Sequence, residues 1–150
     1  MNSIPIFSEQ VLLSPYTWQN DDGIAEALMP GAYLRIEASG CPDVGLVLDL
    51  SLNQGCPSIS MPVVEWSVDK GPMRIMQIPV PKDDLTFLLP LADSLTDDTP
   101  HIIELHFRAA NLCTQRWSNP QTHLRIKAVA IPDTGKLLVP PCRKYNAIIY

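Results

Sequence analysis

The stretch His101-Ile-Ile-Glu-Leu-His-Phe-Arg-Ala-Ala110 decides the fold class. Ile103, Leu105, Phe107 and Ala109 fall on one side of an extended chain, and Glu104, His106 and Arg108 on the other. Successive strand side chains point to opposite faces, so this pattern is a strand with one dry and one wet side. The same period recurs on either side of it. Leu34, Ile36 and Ala38 alternate with Tyr33, Arg35 and Glu37, and Val44, Leu46, Leu48 and Leu50 repeat the pattern with Asp49 on the other side. Val64, Trp66 and Val68 oppose Glu65, Ser67 and Asp69. Runs at Met73–Val80 and Leu85–Leu91 follow, and Leu124, Ile126, Ala128 and Ala130 alternate with Arg125 and Lys127. Turn formers separate them, as in Ser39-Gly-Cys-Pro-Asp43, Asn53-Gln-Gly-Cys-Pro57 and Asp69-Lys-Gly-Pro72. Seven or eight short strands at this spacing read as an all-β chain, an antiparallel β-sandwich of jelly-roll (galactose-binding-like) kind. The best helix candidate is brief, Gly23–Met29, ended by Pro30-Gly31.

Composition agrees. The 150 residues suit one domain, with 46% apolar residues, 18% charged residues and 15 prolines that break up long helices. A net charge of −5 with 11 Lys+Arg argues against nucleic acid or an anionic membrane as partner, because both need a basic face. No apolar run is long enough to cross a membrane as a helix. The N-terminus lacks the basic and apolar regions of a signal peptide, so with Met1 native the cytoplasm is the expected compartment. Cys41, Cys56, Cys113 and Cys142 form no C-x-x-C pair, which argues against a zinc ribbon or a thioredoxin-like motif. Cys41 and Cys56 could close a short loop in an oxidising compartment; the alternative is four buried or idle thiols.

The last residues differ from the rest. Asn146-Ala-Ile-Ile-Tyr150 follows the stiff connector Pro140-Pro-Cys-Arg-Lys144 and is nearly all apolar, the pattern of a strand buried on both faces of a parallel sheet. Residues 1–141 are therefore expected to form the sandwich. Residues 142–150 are expected to be a connector and the first strand of an α/β domain that the chain does not contain.

Three constellations bear on chemistry. Ala92-Asp-Ser-Leu95 resembles a Gly-Asp-Ser-Leu esterase box, and Asp98-Thr-Pro-His101 has the spacing Asp-x-x-His. Ala92 replaces the glycine that allows the sharp nucleophile turn, and both boxes fall in one acidic loop, so no catalytic residue is assigned; an enzyme using Ser94 and His101 stays as a minor alternative. His101 and His106 face opposite sides of one strand, and Glu104 with His106 supplies two ligands where zinc wants three or four, so no metal site is expected. No Gly-rich phosphate loop occurs, and no cofactor is expected. Trp18, Trp66 and Trp117, with Tyr16 and Tyr33, could form a sugar-stacking platform. Trp66 alternates with valines and reads as core, which leaves Trp18, Trp117 and Arg116 as the candidate binding residues.

Several blocks in order carry a resemblance. Ser14-Pro-Tyr-Thr-Trp18, Pro30-Gly-Ala-Tyr33, Val64-Glu-Trp-Ser-Val-Asp69, His101–Ala109, Gln115-Arg-Trp117, Leu124-Arg-Ile126 through Pro132-Asp133, and Lys144–Tyr150 resemble the N-terminal sandwich of two-domain SGNH (GDSL-type) esterases. These are similar to the acetylxylan-type carbohydrate esterases. The resemblance implies a non-catalytic accessory domain whose partner is a C-terminal SGNH hydrolase domain of the same protein, acting on esterified carbohydrate. A self-standing carbohydrate-binding module is the alternative.

Overall fold

A computed structural model describes residues 2–96, 99–109 and 123–140. Among them lie twelve strands, all of whose pairings are antiparallel, and two single turns of 3-10 helix, Ser51–Asn53 and Ser58–Ser60. In chain order the strands are β1 (Asn2–Pro5), β2 (Leu12–Leu13), β3 (Gln19–Asp21), β4 (Ile24–Ala27), β5 (Tyr33–Ser39) and β6 (Val44–Asp49). They continue as β7 (Val63–Val68), β8 (Arg74–Gln77), β9 (Thr86–Ala92), β10 (His101–Ala109), β11 (Leu124–Ile131) and β12 (Lys136–Leu137). The first sheet runs β3-β4-β11-β6-β9, with β1 paired to the far half of β11. The second runs β12-β5-β10-β7-β8, with β2 on β5. No helix of the described residues is long and apolar enough to cross a membrane.

One apolar core lies between the sheets, because the dry faces read from the sequence meet there. Leu34 and Ile36 of β5, Ile103, Leu105 and Phe107 of β10, and Leu46 and Leu48 of β6 are all essentially inaccessible. Trp66 of β7 is buried, as expected, and its indole N–H donates to Leu91 O at 2.8 Å. That bond crosses from the second sheet to β9 of the first, and satisfies the one polar atom a buried indole carries.

Three local expectations are corrected. Gly23–Met29 is not a helix: Ile24–Ala27 is β4. Asp22 and Gly23 both take positive φ, 52° and 85°, so the two residues between Asp21 and Ile24 make the tight hairpin turn that Asp-Gly favours. A segment this short cannot nucleate a helix alone, whereas Ala25 and Ala27 bury completely as a strand. The run Met73–Val80 is a strand only over Arg74–Gln77, since Pro72, Pro79 and Pro81 offer no amide donors. In β11 the alternation breaks: a register shift between Ile126 and Ala128 puts Leu124, Ile126, Val129 and Ile131 into the core. Ala128 and Ala130 pair with Val47 and Gly45 on the outer face instead.

Cys41 and Cys56 are both buried and no disulfide joins them. The Cys41 thiol lies 3.4 Å from Ser39 O, and that of Cys56 lies 3.5 Å from Pro57 O. The connector and strand read at residues 142–150, with Cys113 and Cys142, lie outside the described residues.

Candidate functional site

The aromatic platform is not assembled by the described residues. Trp18 is half-buried, and its indole N–H lies 3.1 Å from both Ser14 Oγ and Tyr33 O. Ser14 Oγ also accepts the Tyr33 amide at 2.9 Å, and it hydrogen-bonds the Thr17 hydroxyl. The block Ser14–Trp18 is thus a turn pinned to the start of β5, with Trp18 as its anchor. Tyr16, at φ 63° and 98% exposed, forms the tip. Trp117 and Arg116 lie outside the described residues.

The outer face of the second sheet carries the polar side chains that the alternation placed there. The Tyr33 ring lies against that of His106, with centroids 5.7 Å apart and planes tilted by 39°. Arg35 and Glu104 pair at 3.6 Å, and Arg108 and Glu65 at 3.4 Å. Leu12, Tyr33, Arg35, Glu104 and His106 line a shallow depression of about 230 Å³. Half-exposed ion pairs of this kind contribute about 0–1 kcal/mol each, so their arrangement matters more for what can hydrogen-bond to them than for stability. A flat aromatic edge beside a guanidinium and a carboxylate offers both donors and acceptors to a hydroxyl-rich ligand.

At the end of the same sheet, His101 sits between two acceptors. Its Nδ1 lies 2.6 Å from Asp69 Oδ2, and its Nε2 lies 3.0 Å from Thr96 O and 3.2 Å from Thr96 Oγ1. A general base needs an unprotonated nitrogen facing the nucleophile. Here one ring nitrogen meets a carboxylate and the other meets both the carbonyl and the hydroxyl of Thr96, so the ring has both nitrogens engaged within the fold. It ties the acidic loop to the turn after β7. Burial works against the charge on Asp69, but the His101 hydrogen bond and the Ile102 amide outweigh it and hold this carboxyl below the ordinary 3.8. Ser94 takes positive φ, 54°, in that loop.

A second charged cluster was not anticipated. Arg125 of β11, 6% exposed, donates from Nε to Asp49 Oδ2 at 3.0 Å and from Nη1 to Asp21 Oδ2 at 2.8 Å and to Glu26. Glu26 in turn meets His123 Nδ1 at 3.0 Å. Burial opposes ionisation of Asp49, yet the Ser51 amide and the Arg125 guanidinium lower its pKa below 3.8. For Arg125, burial again opposes the charge, and the bonds to Asp21 and Asp49 more than restore it. The signal was present: Asp49 is the one charge of β6, and Arg125 is one of two charges on β11, the other being Lys127. Among the described residues no three His, Cys, Asp or Glu side chains are arranged to hold a metal ion.

No protein-family model matches the chain, and no curated protein sequence matches it. Solved structures do. A family two carbohydrate esterase from Cellvibrio japonicus superposes with a TM-score of 0.67 at 13% identity, covering 94% of this chain and 36% of the esterase. An acetyl xylan esterase from the rumen bacterium Butyrivibrio proteoclasticus gives 0.67 at 14% identity, covering 94% of this chain and 34% of its own. A two-domain esterase active on acetylated mannans gives 0.61 at 13%, over 94% of this chain and 37% of that one. The chain therefore spans about a third of the length of these structures, and at such identity the likeness is one of fold: an all-β unit of two antiparallel sheets that also occurs as part of carbohydrate esterases.

Proposed function

We propose that this chain is a non-catalytic, jelly-roll-type accessory domain of an SGNH-type carboxylic ester hydrolase that deacetylates carbohydrate. It packs on the hydrolase domain of the same protein and helps to shape its cleft. The observation that carries this reading is the partial match: nearly the whole chain superposes on about a third of each of several carbohydrate esterases. The engagement of both His101 ring nitrogens by Asp69 and Thr96 supports a structural role for the segment that carries Ser94 and His101. The test is hydrolysis of p-nitrophenyl acetate and acetylated xylan by this chain alone. The expected rate is the buffer blank; turnover abolished by Ser94→Ala or His101→Ala would overturn the reading. The reading frame past Tyr150 is expected to enter a Gly-Asp-Ser box.

A self-standing carbohydrate-binding module is the second reading, favoured by the Tyr33, Arg35, Glu104 and His106 depression. Retardation in affinity electrophoresis through soluble xylan or mannan, lost on Tyr33→Ala, would shift the balance to it.

A further inference from the structure

A second concave surface lies on the other sheet. On the outer face of the first sheet, Ala130, Gly45 and Pro90 are register partners across β11, β6 and β9. Three residues with short or no side chains in one row leave the sheet's backbone as a low floor. Leu88, one alternation away on β9 and 48% exposed, rises as a wall. The result is a groove of about 440 Å³ lined by Gly45, Leu88, Pro90, Ala92 and Ala130 and rimmed by Asp43, Asp93 and Asp133. Its volume is that of a ligand site, and its lining is mostly apolar, as such sites are. A Cβ on Gly45 would stand 3.0 Å from Leu88 Cδ1 and 3.2 Å from Leu89 O, so the open floor depends on glycine at this position.

The rim selects the occupant. No basic side chain lines the groove, and no ion pair of the described residues uses Asp43 or Asp93. The floor offers no hydrogen-bonding side chains, which disfavours a sugar, and the aspartates repel an acidic head group. We propose that this groove is the docking site for a polypeptide segment that presents an apolar side chain flanked by Lys or Arg. The apolar side chain covers Leu88 and the small-residue floor, and the flanking cations sit against Asp43 and Asp93. If the partner is the adjoining hydrolase domain, that identity rests on the reading above; the groove's chemistry does not.

The test titrates three peptides into the isotopically labelled chain and follows the methyl resonances of Leu88, Ala92 and Ala130. Acetyl-Lys-Leu-Lys-amide is expected to shift these methyls saturably. Acetyl-Glu-Leu-Glu-amide should bind at least about threefold more weakly, the scale of one exposed ion pair. Acetyl-Lys-Gly-Lys-amide should leave them unmoved. The double variant Asp43→Asn, Asp93→Asn, both exposed positions, should bring the Lys and Glu peptides to equal affinity. Any of three results overturns the proposal: no groove shift with the Lys-Leu-Lys peptide at about 20 mM, equal binding of the Glu peptide to the unmodified chain, or an equal response to sodium hexanoate, which would mark an acyl-chain site. An intact charge preference with no Gly-Asp-Ser box downstream would sink the esterase reading and leave the groove standing.

Discussion

Replacing Arg125 with methionine isolates what the buried guanidinium does. Methionine keeps most of the stem's volume, so little cavity forms, and the change is the removal of one positive charge from among three carboxylates. Two of these cannot escape to water: the Glu26 and Asp49 side chains are 11% and 14% exposed, against 56% for Asp21. Breaking a buried pair by removing one partner costs about 3–5 kcal/mol, mostly because the orphaned charge stays desolvated. Asp21 adds about 1 kcal/mol or less, being exposed enough to rehydrate. Arg125→Met is therefore expected to lose about 3–5 kcal/mol in urea unfolding followed by circular dichroism, with an unchanged denaturant slope. The triple variant Arg125→Met, Glu26→Gln, Asp49→Asn should recover much of this, since no charge is then buried alone. The pH dependence has a definite sign. The Asp49 pKa is lowered in the folded state, so its contribution is present above its ordinary 3.8 and is lost as pH falls through the folded value. Methionine removes a cause of that lowering, so the gap between the two proteins should narrow below about pH 4. A loss under about 1 kcal/mol at neutral pH, or a gap that does not narrow in acid, refutes the view that Arg125 neutralises a desolvated carboxylate pair.

Trp66→Ala is expected to cost about 3–5 kcal/mol by cavity formation, and Trp66→Phe less, about 0.5–1.5 kcal/mol, because Leu91 O loses its indole donor but keeps the longer bond from Arg74 Nη1; thermal and urea unfolding read both. At Gly135 an added Cβ would lie 2.3 Å from Cys41 Sγ, so Gly135→Ala should destabilise by about 1–3 kcal/mol. Adding Cys41→Ala should recover only part of that, because Gly40 O also stands 3.0 Å from the new atom. Asp69→Asn should weaken protection of the Ile102 amide in hydrogen exchange and flatten the acid limb of stability; the lowered pKa makes the Asp69 contribution one that appears above its ordinary 3.8 and fades below it. An unchanged Ile102 exchange rate would remove Asp69 from the latch.

The central strands of both sheets were legible because each buries one face, and burial of one face forces period two into the sequence. The Ile103, Leu105 and Phe107 row and the Trp66 position followed from that alone. What was not legible depended on partners distant in the chain. The two-residue strands β2 and β12 carry no period of their own and exist because β5 offers them hydrogen bonds. The bulge in β11 leaves an alternating pattern that reads correctly up to Ile126 and inverted from Ala128 onward. The alanine-rich β4 has helical propensity that the Asp22-Gly23 turn and the Arg125 contact to Glu26 override. The anchoring of Trp18 was not legible either, because nothing in the adjacent residues shows that Tyr33 O accepts its indole N–H.

The pairing of β1 with the far half of β11 has a consequence for synthesis. Asn2–Pro5 are synthesised before nearly all the rest of this domain, and their partners Ala128–Ile131 well over a hundred residues later. The first strand therefore waits, with Ile4 and Ile6 uncovered, through translation of almost the whole domain before its edge can close. At roughly 5–20 residues per second that interval is on the order of ten seconds, long compared with hydrophobic collapse. The nascent chain is thus expected to be a chaperone client through its N-terminal apolar residues, and release from the chaperone should track the emergence of β11 rather than of any earlier strand.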